Sequence, residues 1–288
     1  MLFVPAHVLP LAHPLPSVVT VHDLGYRHFP DAHPARQRWY LDWSTRFSAR
    51  AATHLLADSA ATQRDLAHFY GVPLEKITVV YPGRDEHLVK VDPAPARARY
   101  GLAADYLLHV GTLQPRKNLS RLMDAVVSLR AHWPDLQLVL AGQPGWQAEP
   151  ILAQARAHAD CVRLLDYVPD PDLAGLYSGA RALVFPSLYE GFGFPILEAM
   201  ACGVPVVCAN TSSLPEVAGD AALLVDPQDT AALSGAIDRL LADASLRARL
   251  VGQGLEQVRK FSWARAARET LQVFDRVASG PRRPARSP

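Results

Sequence analysis

Glu190 and Glu198 bracket a loop with glycines at 191 and 193 and a proline at 195. Glycine lets backbone N–H groups come close to a ligand. Pro195 suits the first turn of a helix because it has no N–H to lose there. Backbone amides at a helix N-terminus hold an anion. Carboxylates repel phosphate and accept hydrogen bonds from hydroxyls instead. One ligand satisfies all three features: a phosphate between two hydroxyl-rich groups, as in a sugar nucleotide. Two glutamates at this spacing are common as a turn cap and a solvated helix residue. The flanking Gly-Phe-Gly-Phe-Pro at 191–195 and Ala-Cys-Gly-Val-Pro-Val-Val at 201–207 make this instance specific.

A second anion site is Gly111-Thr-Leu-Gln-Pro-Arg-Lys-Asn at 111–118, between an apolar run and a helical stretch. Asn118 has the side chain of an N-cap. Arg116 and Lys117 then sit at a helix start, where the dipole disfavours cations. A basic pair there calls for an anion, which Arg grips bidentately and Lys meets as a point charge. The loop Leu165-Asp-Tyr-Val-Pro, with Tyr167 and Val168, can hold a base through its backbone. Asp170-Pro-Asp172 has a metal-binding form, but it precedes a helix and reads as an N-cap. There is no His/Cys set with zinc spacing, no Gly-x-Ser-x-Gly and no Walker lysine. A site without metal or other cofactor is the expectation.

The elements that place these groups follow from apolar runs at 106–110, 137–141, 162–165, 182–185, 204–208 and 222–225. Helical segments alternate with them at 118–131, 147–158, 171–179 and 195–202. Strands apolar throughout and joined by helices imply a parallel sheet covered on both faces. Ser213-x-x-Glu216 has the spacing of a capping box, and helices close the region at 229–241, 245–259 and 262–278. Before this region, strands are predicted at 17–21, 53–57 and 77–81, with Leu2–Val4 as the end of another. The first runs into His22-Asp23-Leu24-Gly25, a loop at a strand's carboxyl end. The helix at 34–51 carries Arg36, Arg38, Arg46 and Arg50 with Trp39, Tyr40, Trp43 and Phe47. Aromatics buried in the core are its first reading, and a surface for an acceptor or an anionic membrane is the alternative. Residues 84–99, with Pro93 and Pro95, read as a linker.

Of 288 residues, 49% are hydrophobic and 20% charged, which fits a folded chain with a substantial core. A net charge of +1 supplies no global field for nucleic acid. Cys161, Cys202 and Cys208 are scattered and odd in number, so buried free thiols in a reducing compartment are expected. No run approaches the ~18 apolar residues of a spanning helix. A cytoplasmic location is the expectation, with peripheral membrane association left open.

Val-His-Asp-Leu at 21–24, Pro-Arg-Lys-Asn at 115–118 and Glu-Gly-Phe-Gly-Phe-Pro-Ile-Leu-Glu at 190–198 together resemble the group 1, family 4 retaining glycosyltransferases. The resemblance runs from about residue 17 to about residue 277. It implies an α/β fold of the GT-B kind, two Rossmann-like domains facing across a cleft. It implies that Glu190 holds hydroxyls of the donor sugar and Glu198 the nucleotide ribose. Arg116 and Lys117 would bind the diphosphate and stabilise it as it leaves. Backbone amides from Gly191 through Phe192, Gly193 and Phe194 to Ile196 would contact sugar and phosphate. His22 would reach the reacting sugar from the acceptor side. Front-face transfer is implied, with the leaving phosphate assisting deprotonation of the acceptor; His22 as general base is the weaker option. Spacing alone also leaves Glu190 open as a nucleophile.

The expected division is a partial N-terminal acceptor-side domain at 1–98, a donor-binding domain at 99–261, a closing helix at 262–278 returning to the first domain, and a disordered tail at 279–288. Asp166 stands where the family usually has Gly. The family's first strand and its glycine-rich loop have no counterpart, so the N-terminal domain is expected to be incomplete. The expected activity is transfer of a hexose, mannose by resemblance, from a nucleoside-diphosphate sugar to a sugar or lipid-linked sugar acceptor in polysaccharide or glycolipid assembly. The alternative is a nucleotide-sugar-binding module or an inactive half-enzyme.

Overall fold

The computed structural model describes residues 1–6, 8–32, 34–102 and 105–280. The tail expected to be disordered lies, from 281 on, outside the described residues. The chain divides into two compact units, Met1–Gly83 with the residues from Phe261 on, and Arg84–Lys260. Each is an α/β unit built on a parallel sheet.

Unit 1 holds β1 (Leu2–Val4), β2 (Ser17–Val21), β3 (His54–Ala57) and β4 (Ile77–Val79), hydrogen-bonded in that order. Side chains alternate between faces along each strand. Val19, Val21, Leu55 and Ala57 therefore join a core with Leu24, Leu66 and Tyr70. Val18 and Leu56 point the other way and meet Val80, Ala266 and Val273. The helix Trp263–Ala278 supplies the last two, so it packs on the unit-1 sheet.

The helix Ala35–Ala51 overturns the expectation of buried aromatics at Trp39, Tyr40 and Trp43, while Phe47 is half-buried and packs against the unit-1 core as expected. It packs through Ser44, Thr45, Ser48 and Ala49. These small side chains allow close approach to the core, and Ser48 Oγ accepts a hydrogen bond from the Leu9 N–H. The opposite face then carries the large rings, and Trp39, Tyr40 and Trp43 are exposed.

Unit 2 holds β5 (Tyr106–Val110), β6 (Gln137–Ala141), β7 (Val162–Leu165), β8 (Ala182–Phe185), β9 (Val206–Ala209) and β10 (Ala222–Val225). Their order is β10-β9-β8-β5-β6-β7. That is the doubly wound nucleotide-binding order. β5, β8 and β9 are almost wholly buried, as a sheet covered on both faces requires. All three cysteines are free and buried.

The stretch 84–99 read as a linker is not wholly irregular. A helix forms at Ala94–Tyr100 and lies on the helix Asp170–Gly179. Arg97 donates to the Gly179 carbonyl at 2.8 Å and Tyr100 to Asp172 at 2.7 Å. Pro93 opens this helix instead of breaking the chain into coil. Asp172 is also ion-paired with Arg99 at 2.9 Å, and Pro169, not Asp170, occupies the N-cap. The reading of this Asp pair as a cap is therefore corrected. Among the described residues no helix is long and apolar enough to cross a membrane.

Candidate active site

In unit 2 the strand order turns between β5 and β8. The crevice outside the carboxyl ends at such a switch point is where open parallel sheets bind ligands. The loop from Gly111 leaves β5 and the loop to Gly193 leaves β8, so the two stretches singled out from the sequence meet there. The Leu188 N–H donates to the Arg116 carbonyl at 2.9 Å and joins them. Asn118 stands at the N-cap of the helix that follows, as expected, but its side chain makes no capping hydrogen bond. It takes a left-handed conformation, φ 59°, and its Nδ2 donates to the carbonyls of Pro186 and Pro227 at 3.2 and 2.6 Å. The basic pair itself lies in a short 3-10 turn, Pro115–Lys117, ahead of the helix Leu119–Leu129.

Arg116 and Lys117 share one carboxylate. Arg116 Nη1 donates to Glu190 Oε2 and Lys117 Nζ to Glu190 Oε1, each at 2.6 Å. Lys117 and Glu190 are buried. Burial pushes the Glu190 carboxyl up, but the charges and hydrogen bonds of Lys117 and Arg116 outweigh it and hold the group below the usual carboxylate range. Glu190 is thus an anion held between two cations. Gly111 has φ +144°, and a Cβ there would stand 3.5 Å from Lys117 Nζ. Gly193 has φ +119°, and a Cβ would meet Leu214 at 2.9 Å. Both turns therefore favour glycine on backbone grounds.

The sequence reading missed the residues that hold this arrangement. Ser212 Oγ accepts from the Glu190 N–H at 2.9 Å, and the carbonyls of Glu190 and Phe192, 2.9 and 2.6 Å from Ser213 Oγ, share its one hydroxyl proton. The expected capping box at Ser213 does not form, because that hydroxyl is spent on the Glu190 loop. Lys117 Nζ lies 4.9 Å from the Phe185 ring centroid, a cation–π distance. Phe185 stacks on His109, centroids 5.3 Å apart. His109 is fully buried, and burial followed by the Lys117 charge lowers its pKa to about 4. The neutral ring donates from Nδ1 to the Val184 carbonyl at 3.1 Å. Its Nε2 has no hydrogen-bond partner among the described residues. The sequence signal was a histidine inside a strand, two residues before the Gly111 turn.

Glu198 lies on the helix Phe194–Ala201, which Pro195 opens as expected. Burial raises its pKa, while a 2.6 Å hydrogen bond from the Tyr177 hydroxyl opposes the rise. Tyr177→Phe should therefore cost about 1.5–3 kcal/mol, the scale of a hydrogen bond to a charged group. Denaturant unfolding at neutral pH measures it, and wild-type stability would show that Glu198 does not depend on Tyr177. Phe192 and Ile196 are buried, and the Ile196 N–H donates to the Gly193 carbonyl at 3.1 Å. That amide is engaged within its own turn. Phe194 is exposed.

Tyr167 and Val168 follow β7, two strands from β5; the tyrosine is exposed and the valine buried. His22 belongs to unit 1, in the loop after β2. Its Nδ1 contacts Asp58 Oδ2 at 2.8 Å and its Nε2 the Pro5 carbonyl at 2.9 Å. Both partners are acceptors, so both nitrogens donate only in the imidazolium. Consistently, the Asp58 hydrogen bond raises its pKa against the opposing effect of burial.

The model of the glycosyl transferases group 1 family matches residues 99–257, and that of Glycosyltransferase Family 4 matches residues 1–88. The chain is 37% identical over 268 residues to O-antigen chain mannosyltransferase B of Escherichia coli, covering 90% of this chain and 70% of that protein. Its fold matches sucrose-phosphate synthase from Thermosynechococcus elongatus with a TM-score of 0.78 at 28% identity, over 93% of this chain and 69% of that one. It matches Anabaena HepE, solved in complex with UDP and glucose, with a TM-score of 0.75 at 21% identity, over 90% of this chain and 71% of that one. The chain spans 33% to 60% of the length of seven further curated relatives. Two parallel-sheet Rossmann-like units of the GT-B kind, with the Arg-Lys and Glu-x7-Glu loops together at the switch point of the second, place the chain in the group 1, family 4 glycosyltransferases.

Proposed function

We propose that the chain transfers mannose from a nucleoside-diphosphate sugar to a hydroxyl of a saccharide acceptor, with retention at the anomeric carbon. The observation that carries the reading is the anion-holding pair Arg116 and Lys117, closed at 2.6 Å on Glu190 at the switch point of a nucleotide-binding sheet. Support for mannose comes from the name of the Escherichia coli relative, an O-antigen chain mannosyltransferase, and support for a nucleotide donor from the UDP and glucose in the Anabaena neighbour.

In this reading Glu190 stands in for the ligand. The diphosphate replaces it between Arg116 and Lys117, and the freed carboxylate accepts hydrogen bonds from hydroxyls of the donor sugar. Glu198 accepts from the ribose. The bond from the anomeric carbon to the β-phosphate oxygen breaks as the acceptor oxygen bonds to the same face. The acceptor proton passes to the departing phosphate. Arg116 and Lys117 meet the negative charge that develops on that phosphate, in a site already oriented for it.

Arg116→Ala should weaken nucleoside-diphosphate binding by about 1.5–3 kcal/mol, as for a lost charge-assisted hydrogen bond. Calorimetric titration of the full chain with GDP and UDP measures it. Unchanged affinity for whichever nucleotide binds would remove the phosphate assignment. Incubation with radiolabelled GDP-mannose and a mannose-terminated acceptor then tests the transfer. Nucleotide binding without turnover would leave a nucleotide-sugar-binding module.

A further inference from the structure

Unit 1 carries a cavity that the donor reading does not use. It opens beside the helix Ala35–Ala51, between that helix, the short helix Gly25–His28 and the turn at Pro30, with a volume of about 460 Å³. Trp39 forms one wall and is 68% exposed. Trp43 and Phe47 continue from it along the same helix. The Trp39 and Trp43 rings lie 6.3 Å apart and 11° from parallel, and the Trp43 and Phe47 rings 6.1 Å and 12°. This is a ladder of parallel aromatic rings that starts at the cavity.

Polar groups complete the lining: Arg27, Arg38 and Asp42. Asp42 Oδ1 accepts from Arg27 and from the Tyr70 hydroxyl, both at 2.9 Å. Its Oδ2 has a single long ion pair, 3.5 Å to Arg46, and keeps lone pairs to spare. Arg27 is fixed from behind by the Phe69 and Tyr70 rings, 4.9 and 5.9 Å from its guanidinium carbon. Arg38 has no carboxylate partner among the described residues; its Nη1 donates to the Pro30 carbonyl at 3.3 Å.

These groups select the occupant. An acyl chain or an apolar peptide entering the cavity would strip water from two guanidinium groups and a carboxylate without replacing their hydrogen bonds, which is costly. A hydroxyl-rich ring fits both halves of the lining. Its C–H face covers the Trp39 indole, its hydroxyls donate to Asp42 Oδ2, and its oxygens accept from Arg38. An apolar wall with a few placed polar groups is the usual make-up of a small-molecule site. Trp43, exposed and next along the row, offers a further face to a further ring, with the half-buried Phe47 backing it. We propose that the cavity and the ladder bind a segment of a saccharide chain. The site lies wholly within unit 1, so the inference does not rest on the donor assignment in unit 2.

Titration of the full chain with a linear mannotetraose and a cellotetraose, followed by saturation-transfer NMR and indole fluorescence, tests it. At least one tetraose should bind and shift the indole emission. Trp39→Ala and Asp42→Asn should each lower that affinity by about tenfold or more, Trp39→Phe should retain most of it, and GDP or UDP binding should stay at the wild-type level. Undiminished affinity in Trp39→Ala overturns the proposal. So does the absence of binding by both saccharides; adsorption of the chain to phosphatidylglycerol vesicles, lost in Trp39→Ala, would then identify a membrane face. Failure of GDP and UDP to bind wild type, with saccharide binding intact, would refute the donor reading and leave this one standing.

Discussion

Glu190→Gln should separate transfer from nucleotide binding: transfer falls by about 10²–10³-fold or more, the scale of one lost transition-state hydrogen bond, while nucleoside-diphosphate affinity rises. Arg116 and Lys117 are both paired with one internal carboxylate at 2.6 Å, which offsets one of their two charges. A diphosphate must displace that carboxylate, so wild type binds it against an internal competitor. The amide keeps the shape of Glu190 but not its charge, and it competes less. A gain of about tenfold corresponds to about 1.4 kcal/mol, comparable with one charge-assisted hydrogen bond. Transfer moves the other way, because a glutamine cannot hold the sugar hydroxyls as a carboxylate does. Calorimetric titration of GDP and UDP, set beside a radiolabel transfer assay, reads both effects. Parallel loss of binding and transfer would mean that Glu190 organises the cations and does not compete with the ligand.

How legible this site was depends on which interactions leave a trace in one dimension. The strands β5, β6 and β8 fall at the residues the apolar runs predict, because a strand covered on both faces has to be largely apolar. The two loops are legible for a similar reason: glycine at 111 and 193 and proline at 195 answer local backbone demands. The carboxylate between the cations is not legible, since residues 116, 117 and 190 come together only through the order of the strands. Ser213 misled for the same reason. Its spacing to Glu216 fits a local cap, and a non-local demand, the carbonyls of Glu190 and Phe192, outcompetes it. The helix Ala35–Ala51 inverts the usual pattern, burying serine and threonine and exposing tryptophan. Hydrophobicity assigns such a helix the wrong face, and its exposed face belongs to something other than the core.

The clamp on Glu190 should also set how the stability of unit 2 responds to pH. Glu190 titrates below its ordinary range in the folded chain, because Lys117 and Arg116 outweigh the effect of burial. A carboxyl with a depressed folded pKa binds fewer protons folded than unfolded. Its contribution is complete above the unfolded pKa and is lost as pH falls through the folded one. Wild-type stability should therefore fall on acidification through the carboxylate range. Lys117→Met removes the larger of the two opposing charges and should flatten that response. It should also cost about 3–5 kcal/mol at neutral pH, the usual penalty for breaking a buried ion pair from one side. Arg116→Met with Lys117→Met leaves burial unopposed, so the Glu190 pKa rises above its unfolded value and the sign reverses: this variant should gain stability as pH falls toward 5. Guanidinium unfolding at pH 3, pH 5 and pH 7 measures the three slopes, the wild-type loss falling below pH 5 and the double variant's gain above it. Equal slopes would show that Glu190 does not carry the acid response. A double variant that loses stability on acidification as wild type does would refute the view that its carboxylate is kept ionised by these two cations.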